Sequence, residues 1–383
     1  MLWTRKFSGM ETKGNLKEIA SLFLKLGFTA FGGPAAHIAM MHREVVEKRK
    51  WLTEQDFLDM IGATNLIPGP NSTEMAIHIG QHKGGAKGLI IAGLCFILPA
   101  VTITLLFAWM YQRFGQLPSV KPFIYGIKPA IIAVILAAIF PLAKKSLKNT
   151  TLWFLGCAVL LLGFAGVNEL LLLLGAGFLA VIIELIAVQK TLNSFWLAIV
   201  AINNFDTNIH PNNIKLFLIF IKIGAMLYGS GYVLFAFLDA ELVATGMITR
   251  EQLIDAIAVG QFTPGPVFSS VTFIGYQISG FEGAMVSTLA IFLPSFVFVA
   301  LLKPIMKLLR KSKVSAIFLD AVNVASVAII LVACSEMAQS SITEWRSVLI
   351  AIISLLVVFR FKTLNSAFVV LGGSILGFLL YLI

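Results

Sequence analysis

Two stretches decide the fold: Asn65-Leu66-Ile67-Pro68-Gly69-Pro70-Asn71-Ser72-Thr73-Glu74 and Gln261-Phe262-Thr263-Pro264-Gly265-Pro266-Val267-Phe268-Ser269-Ser270. In each, Pro-Gly-Pro interrupts an otherwise helical pattern. Proline removes a backbone donor and keeps the residue before it out of the helical conformation. Two prolines around a glycine therefore end one helix and begin another. Upstream, Thr53 and Thr249 read as N-caps, Thr53 with Asp56 three residues on. Downstream, short helices are expected over 71–82 and 267–279, neither long enough to cross a bilayer alone.

The surroundings of these stretches are strongly apolar. Of 383 residues, 58% are hydrophobic and 13% charged, against about 25% charged in soluble domains. Residues 89–112, 149–168, 256–281, 283–302 and 363–383 contain no Asp, Glu, Lys or Arg. Runs of about 18 such residues are candidate membrane spans. The composition excludes a disordered chain, a nucleic-acid-binding module and an ordinary cytosolic enzyme. It predicts an all-α polytopic membrane protein. Cys95, Cys157 and Cys334 sit singly in apolar runs and read as small hydrophobes. No cleavable signal peptide is expected, because charges interrupt any early apolar core.

The two Pro-Gly-Pro stretches belong to an internal duplication. Lys25-Leu26-Gly27 aligns with Lys222-Ile223-Gly224, Glu44 with Glu241, Asp59 with Asp255, and Leu98-Pro99 with Leu293-Pro294. The predicted organisation is an N-terminal repeat over 1–190, a linker with an extra crossing over 191–211, and a C-terminal repeat over 212–383. The net charge is +10, and its distribution relates the halves. Arg43, Lys48, Arg49 and Lys50 crowd one loop, whereas its counterpart carries Asp239 and Glu241. Lys303, Lys307, Arg310, Lys311 and Lys313 face only Arg113 and Lys121, and Lys144, Lys145 and Lys148 face no base. Equivalent loops of opposite bias lie on opposite membrane sides by the positive-inside rule. The fold expected is two inverted-topology repeats with discontinuous helices broken at Pro-Gly-Pro. The apolar stretch 192–202 supplies the odd crossing, which places the N-terminus inside.

Irregular backbone at membrane depth survives only where protein or a water-filled cavity surrounds it. A helix starting after Pro70 or Pro266 offers free N–H groups and the positive end of its dipole to an anion. Asn65, Asn71, Ser72 and Thr73 in one half, and Gln261, Thr263, Ser269 and Ser270 in the other, are uncharged polar groups beside these starts. Lys25 and Lys222 occupy one repeat position within apolar stretches. Paired ammonium groups there would neutralise a dianion; snorkelling to the interface is the alternative. Glu74 and His78 stand one helical turn apart with no ionisable counterpart. They suit a coupling proton or an interfacial capping pair. Asp59 and Asp255 read as solvated or ion-paired, and Lys128, Glu184, Asp320 and Glu336 are weaker intramembrane candidates. Gly84-Gly85-Ala86-Lys87-Gly88 lacks the ending of a phosphate loop. No metal, cofactor, nucleic acid or catalytic cluster is expected.

Phe31-Gly32-Gly33-Pro34-Ala35-Ala36-His37, Trp51-Leu52-Thr53, the Pro-Gly-Pro break and Phe96-Ile97-Leu98-Pro99 together resemble the chromate ion transporter family, in its long two-domain form. The resemblance covers almost the whole chain and is strongest over 22–112. It implies efflux of chromate across the cytoplasmic membrane, linked to the proton motive force, with sulfate as a competitor. The second half departs from the first: Gly231 stands for Pro34, and Val267-Phe268 for Asn71-Ser72. The expected partners are chromate, sulfate and the lipid bilayer, with a homodimer left open. A carrier for sulfate or another oxyanion, and a membrane-embedded enzyme acting on lipid-linked anions, are the alternatives.

Overall fold

A computed structural model describes residues 15–31, 33–115, 117, 120–187, 213–228, 231–309, 313–361 and 364–381. Among the described residues every regular element is helical. The first half comprises α1 (Leu16–Thr29), α2 (Gly33–His42), a π-helical turn (Arg43–Lys48), α3 (Glu54–Thr64), α4 (Asn71–Phe114), α5 (Lys121–Ser146), α6 (Thr150–Phe164) and α7 (Glu169–Ala187). The second comprises α8 (Asn213–Met226), α9 (Val233–Leu238), another π-helical turn (Asp239–Val243), α10 (Arg250–Phe262), a 3-10 turn (Val267–Ser269), α11 (Ser270–Leu309), α12 (Lys313–Ser341), α13 (Trp345–Arg360) and α14 (Ser366–Tyr381). The order repeats, down to the π-helical turns, except that a 3-10 turn precedes α11 where α4 begins directly. The duplicated sequence thus encodes a duplicated structure.

Local chemistry starts and stops these helices at matching places. Thr53 and Asp56 close a reciprocal capping box on α3, and Thr249 and Gln252 close one on α10. Helix α3 ends at Thr64 and α4 begins at Asn71, with Pro68-Gly69-Pro70 between them. Helices α4 and α11 are hairpins rather than straight rods. Gly85 (φ 60°, ψ −148°) and Gly280 (φ 61°, ψ −150°) reverse the chain in a conformation open to glycine. Across these turns Gly80 packs on Gly88 and Gly275 on Gly283, too close for any added Cβ. Thr272 and Thr288 hydrogen-bond at 2.7 Å between the arms of α11. The first arm of α4, residues 71–84, is about 21 Å long at 1.5 Å per residue. That falls short of the roughly 30 Å hydrocarbon core, so this arm is too short to cross a bilayer alone.

The halves interlock. Within them α1 packs along α4, and α8 along α11. Between them α5 packs on α13 and α14, α12 on α6 and α7, and α4 on α11. Gly126 of α5 touches the backbone at Gly373 and Gly377 of α14. Small residues at such contacts let membrane helices approach closely.

Among the described residues, five helices are long and apolar enough to cross a membrane: Asn71–Phe114, Lys121–Ser146, Glu169–Ile186, Val267–Leu302 and Ala316–Ser341. Their outer faces carry large apolar side chains, such as Phe140, Phe154 and Ile186, and Phe154 is 74% exposed. On a soluble protein so much exposed apolar surface would aggregate; here it faces lipid. The chain is a multi-pass membrane protein. Three of the spans include charges that break the uncharged runs of the sequence. Three of these charges are paired: Lys128 with Glu251 at 3.5 Å, Asp320 with Lys148 at 2.6 Å, and Glu336 with Arg250 at 2.8 Å. The extra crossing expected over 192–202 lies outside the described residues, as do the side chains of Lys303, Lys307, Arg310, Lys311 and Lys313.

A candidate oxyanion site at the Pro-Gly-Pro breaks

The two breaks are cross-linked by an exchanged pair of backbone hydrogen bonds. Gly69 N–H donates to the Leu227 carbonyl at the end of α8 (2.7 Å), and Gly265 N–H donates to the Ala30 carbonyl at the end of α1 (2.8 Å). Both glycines have positive φ, 133° and 93°. A break that frees backbone groups at depth needs partners, and each half supplies the other's.

At the first break, α3 closes on Asn65 and α4 opens on Asn71. Asn71 Nδ2 donates to Asn65 Oδ1, and Thr64 Oγ1 donates to Asn71 Oδ1 at 2.7 Å. This network rims a cavity of about 220 Å3 that Asn65 and Asn71 share with Lys145, Lys148, Tyr228 and Asn323. At about 30 Å3 per water, it has room for several waters. Its donors are side-chain amides, hydroxyls and two ammonium groups. Asp320 of the second half also lines the cavity and pairs with Lys148 at 2.6 Å, offsetting that ammonium charge. Ser72 and Thr73 are buried beside the break, and the Thr73 hydroxyl has no partner. Glu74 is wholly buried, and neither of its oxygens has a hydrogen-bond partner. His78 Nδ1 has none either, so the two are not bonded to each other.

The second break is built differently. Thr104, from the second arm of α4, lies 3.3 Å from both Thr263 Oγ1 and Ser269 Oγ, making a buried hydroxyl trio across the halves. Thr263 Oγ1 also donates to the Val259 carbonyl at 2.7 Å. Gln261 accepts from Ser366 at 3.1 Å through Oε1, while its Nε2 and the Ser270 hydroxyl have no partner. The corresponding place at the first break is an apolar cluster of Ile67, Ile77 and Val299.

Lys25 and Lys222 are each paired with the carboxylate nineteen residues on: Lys25 with Glu44 at 3.0 Å and Lys222 with Glu241 at 2.6 Å. The matched ion pairs brace the ends of α1 and α8 against the π-helical turns, so neither ammonium stands free. Glu44 takes two further cations, Lys48 at 2.9 Å and Arg49. Burial pushes the Glu44 carboxyl up, but hydrogen bonds from Lys48, Lys25 and Arg49 outweigh it and bring the group down from 4.5 to about 2. Asp59 accepts from Gln55 at 3.3 Å, and Asp255 from Tyr111 at 2.6 Å.

Sequence reasoning missed Thr104, Tyr228, Asn323 and Ser295 as neighbours of the breaks. They lie far away in the chain and carry no motif. Lys145 and Lys148 were visible only as loop charge.

The family model described as "Chromate transporter" matches residues 17–181 and again 214–378. A chromate transport protein of Cupriavidus metallidurans is 32% identical over 374 residues, covering 96% of this chain and 93% of that one. A probable chromate transport protein of Synechococcus elongatus is 29% identical over 377 residues, covering 95% of each chain. A chromate transport protein of Pseudomonas aeruginosa is 27% identical over 386 residues, covering 95% of this chain and 92% of that one. No solved structure matches. The double match, one copy on each half, and the full-length similarity agree with the duplicated fold: the chain belongs to the chromate transporter family.

Proposed function

We propose that this transporter exports chromate from the cytoplasm, loading the dianion into the cavity beside Pro68-Gly69-Pro70. The observation that carries the reading is the cavity itself. It joins a helix start, the Asn65–Asn71 amide pair and Lys145 and Lys148. The dipole, the amides and the ammonium groups all favour an anion. Ser72 and Thr73 follow on the same helix start. At the second break Thr104, Thr263 and Ser269 form a buried hydroxyl cluster, with Gln261 and Ser270 as its chain neighbours. Lys25 and Lys222 act as braces of the two entry helices rather than as anion ligands.

Inverted repeats account for the cross-half contacts. Gly93 of α4 lies against Phe296 of α11, Leu89 clusters with Val299 and Leu302, and Gln277 donates to the Ala108 carbonyl at 3.2 Å. Numbers rise along one helix as they fall along its counterpart, so the two equivalents run antiparallel. The hairpin turn at Gly85 is flanked by Lys83 and Lys87, whereas the turn at Gly280 is flanked by Glu282. By the positive-inside rule the Gly85 turn is cytoplasmic. Helix α5 then returns to that side, and Lys145 and Lys148 face the cytoplasm. The cavity thus opens on the loading side of an exporter.

Export is downhill on electrical grounds. Each elementary charge moved is worth about 2.3 kcal/mol per 100 mV, and a dianion about twice that. Sulfate has the same shape and charge and is expected to compete.

The test is chromate uptake into inside-out vesicles under an imposed potential. Saturable uptake that increases as the lumen, equivalent to the cell exterior, is made more positive supports export. Uptake insensitive to potential, or chromate movement only in right-side-out vesicles, refutes it.

A further inference from the structure

Glu74 is the one carboxylate within the two Pro-Gly-Pro stretches, 65–74 and 261–270; its repeat counterpart is Ser270. It is fully buried, and both of its oxygens lack a donor. The Ser295 hydroxyl, from α11 of the other half, is also fully buried and also without a partner. The two converge on one point. A Cβ built on Gly69 would run into Glu74 Oε1 and come within 3.0 Å of Ser295 Oγ. Gly69 has the space because it lacks that carbon. A carboxylate without a donor at membrane depth is costly unless a cation joins it. Carboxylate and hydroxyl oxygens, with no imidazole or thiolate among them, are ligands for a hard ion rather than a transition metal.

We propose that Glu74 and Ser295 form the site of a monovalent cation, a proton or sodium, whose binding is linked to that of the oxyanion. The proposal rests on the cavity reading above, because the coupling runs through Gly69. Gly69 lines the cavity together with Tyr228, and Glu74 Oε1 lies against it. The Gly69 N–H in turn is held by the Leu227 carbonyl. A bare Glu74 repels a dianion in that cavity, and a neutralised one does not. By linkage the anion then raises cation affinity by the same factor.

Other titratable groups near by are otherwise placed. His78 follows one turn later on the same helix, α1 brings Lys25 bound to Glu44, and α2 brings His37 edge-on to Phe96. The start of α3 carries Glu54, Asp56 and Asp59 on the far side of that helix from the break. Helix α10 brings Asp255 bonded to Tyr111, and α11 offers Glu282 at its hairpin turn.

The test uses the full chain purified in detergent, with two readouts. Without chromate, sodium binding is titrated calorimetrically at high and low pH, and infrared difference spectra follow the carboxylic acid band with pH. With chromate, affinity is measured against pH at fixed sodium, and against sodium at fixed pH. If the cation is a proton, wild-type affinity for the dianion, corrected for chromate's own protonation, rises on acidification by up to about tenfold per pH unit, and Glu74→Gln removes both the band and this corrected dependence. If it is sodium, affinity rises with sodium, and both Glu74→Gln and Ser295→Ala weaken sodium binding. Chromate binding that ignores both cations overturns the proposal, as does a dependence that survives in Glu74→Gln. Should Glu74→Gln fail to fold, Glu74→Asp with Ser295→Ala must still shift the midpoint, and an unmoved midpoint overturns the proposal. Cation binding at Glu74 in a protein that binds no chromate would sink the cavity reading alone.

Discussion

Gly69 N–H donates to the carbonyl of Leu227 across the two halves at 2.7 Å, and this bond has a twin from Gly265 to Ala30 at 2.8 Å. Each Pro-Gly-Pro break is therefore completed by a helix end from the opposite repeat. The substitution Gly69→Ala tests the join. It forces a φ of 133° on a residue with a Cβ and drives that carbon into Glu74. Strain of about 1–3 kcal/mol plus the clash should lower the thermal midpoint and abolish flux. Gly265→Ala meets Ala100 Cβ at 3.0 Å, a milder contact, and should retain more stability. Equal midpoints for the two variants would contradict the asymmetry.

The matched lysines should respond unequally. Lys25→Ala leaves Glu44 with Lys48 and Arg49, so its cost should stay below about 1 kcal/mol. Lys222→Ala leaves Glu241 without its ion-pair partner among the described residues. The larger loss of thermal stability is expected there, with recovery on adding Glu241→Gln. Denaturation of the two single variants and the double variant measures this.

Glu44 gives a pH signature. Its carboxyl is lowered from 4.5 to about 2, so its stabilisation is complete above the ordinary carboxylate range. That stabilisation fades below about pH 4.5 and is lost as pH falls through about 2. Thermal midpoints of wild type and Glu44→Gln should run parallel from pH 6 to 8 and converge on acidification, with wild type losing more. A constant gap down to the lowest accessible pH would argue against a depressed carboxyl.

Packing between the repeats has its own test. Gly126 faces the backbone of Gly373 and Gly377, whereas Gly372 on the same helix has open space around its Cβ position. Gly126→Val should prevent α5 and α14 from seating and reduce the yield of folded protein. Gly372→Ala should be tolerated. Size-exclusion profiles in detergent distinguish them.

Much of the plan was legible along the chain. The duplication, the N-cap threonines Thr53 and Thr249 and the Pro-Gly-Pro breaks depend on local chemistry that recurs at fixed spacing. The expected helix ends at 82 and 279 fall within three residues of the turns at Gly85 and Gly280. Three spans were hidden because charges interrupt α5, α7 and α12. Lys128, Asp320 and Glu336 find partners on other elements, which a linear pattern does not reveal. The same limit applies to Lys25 and Lys222. Their symmetry was visible, but their carboxylates lie on turns that only folding brings near. Thr104, Ser295 and Tyr228 escaped notice for that reason too, since each reaches its break from another helix.

The most direct measurement is the chromium position in chromate-soaked crystals, located by anomalous scattering. A peak within hydrogen-bond reach of Asn71 and Lys145, lost in Asn71→Leu, is the predicted result. A peak at Thr104, Thr263 and Ser269, with none beside Asn71, would contradict loading at the first break.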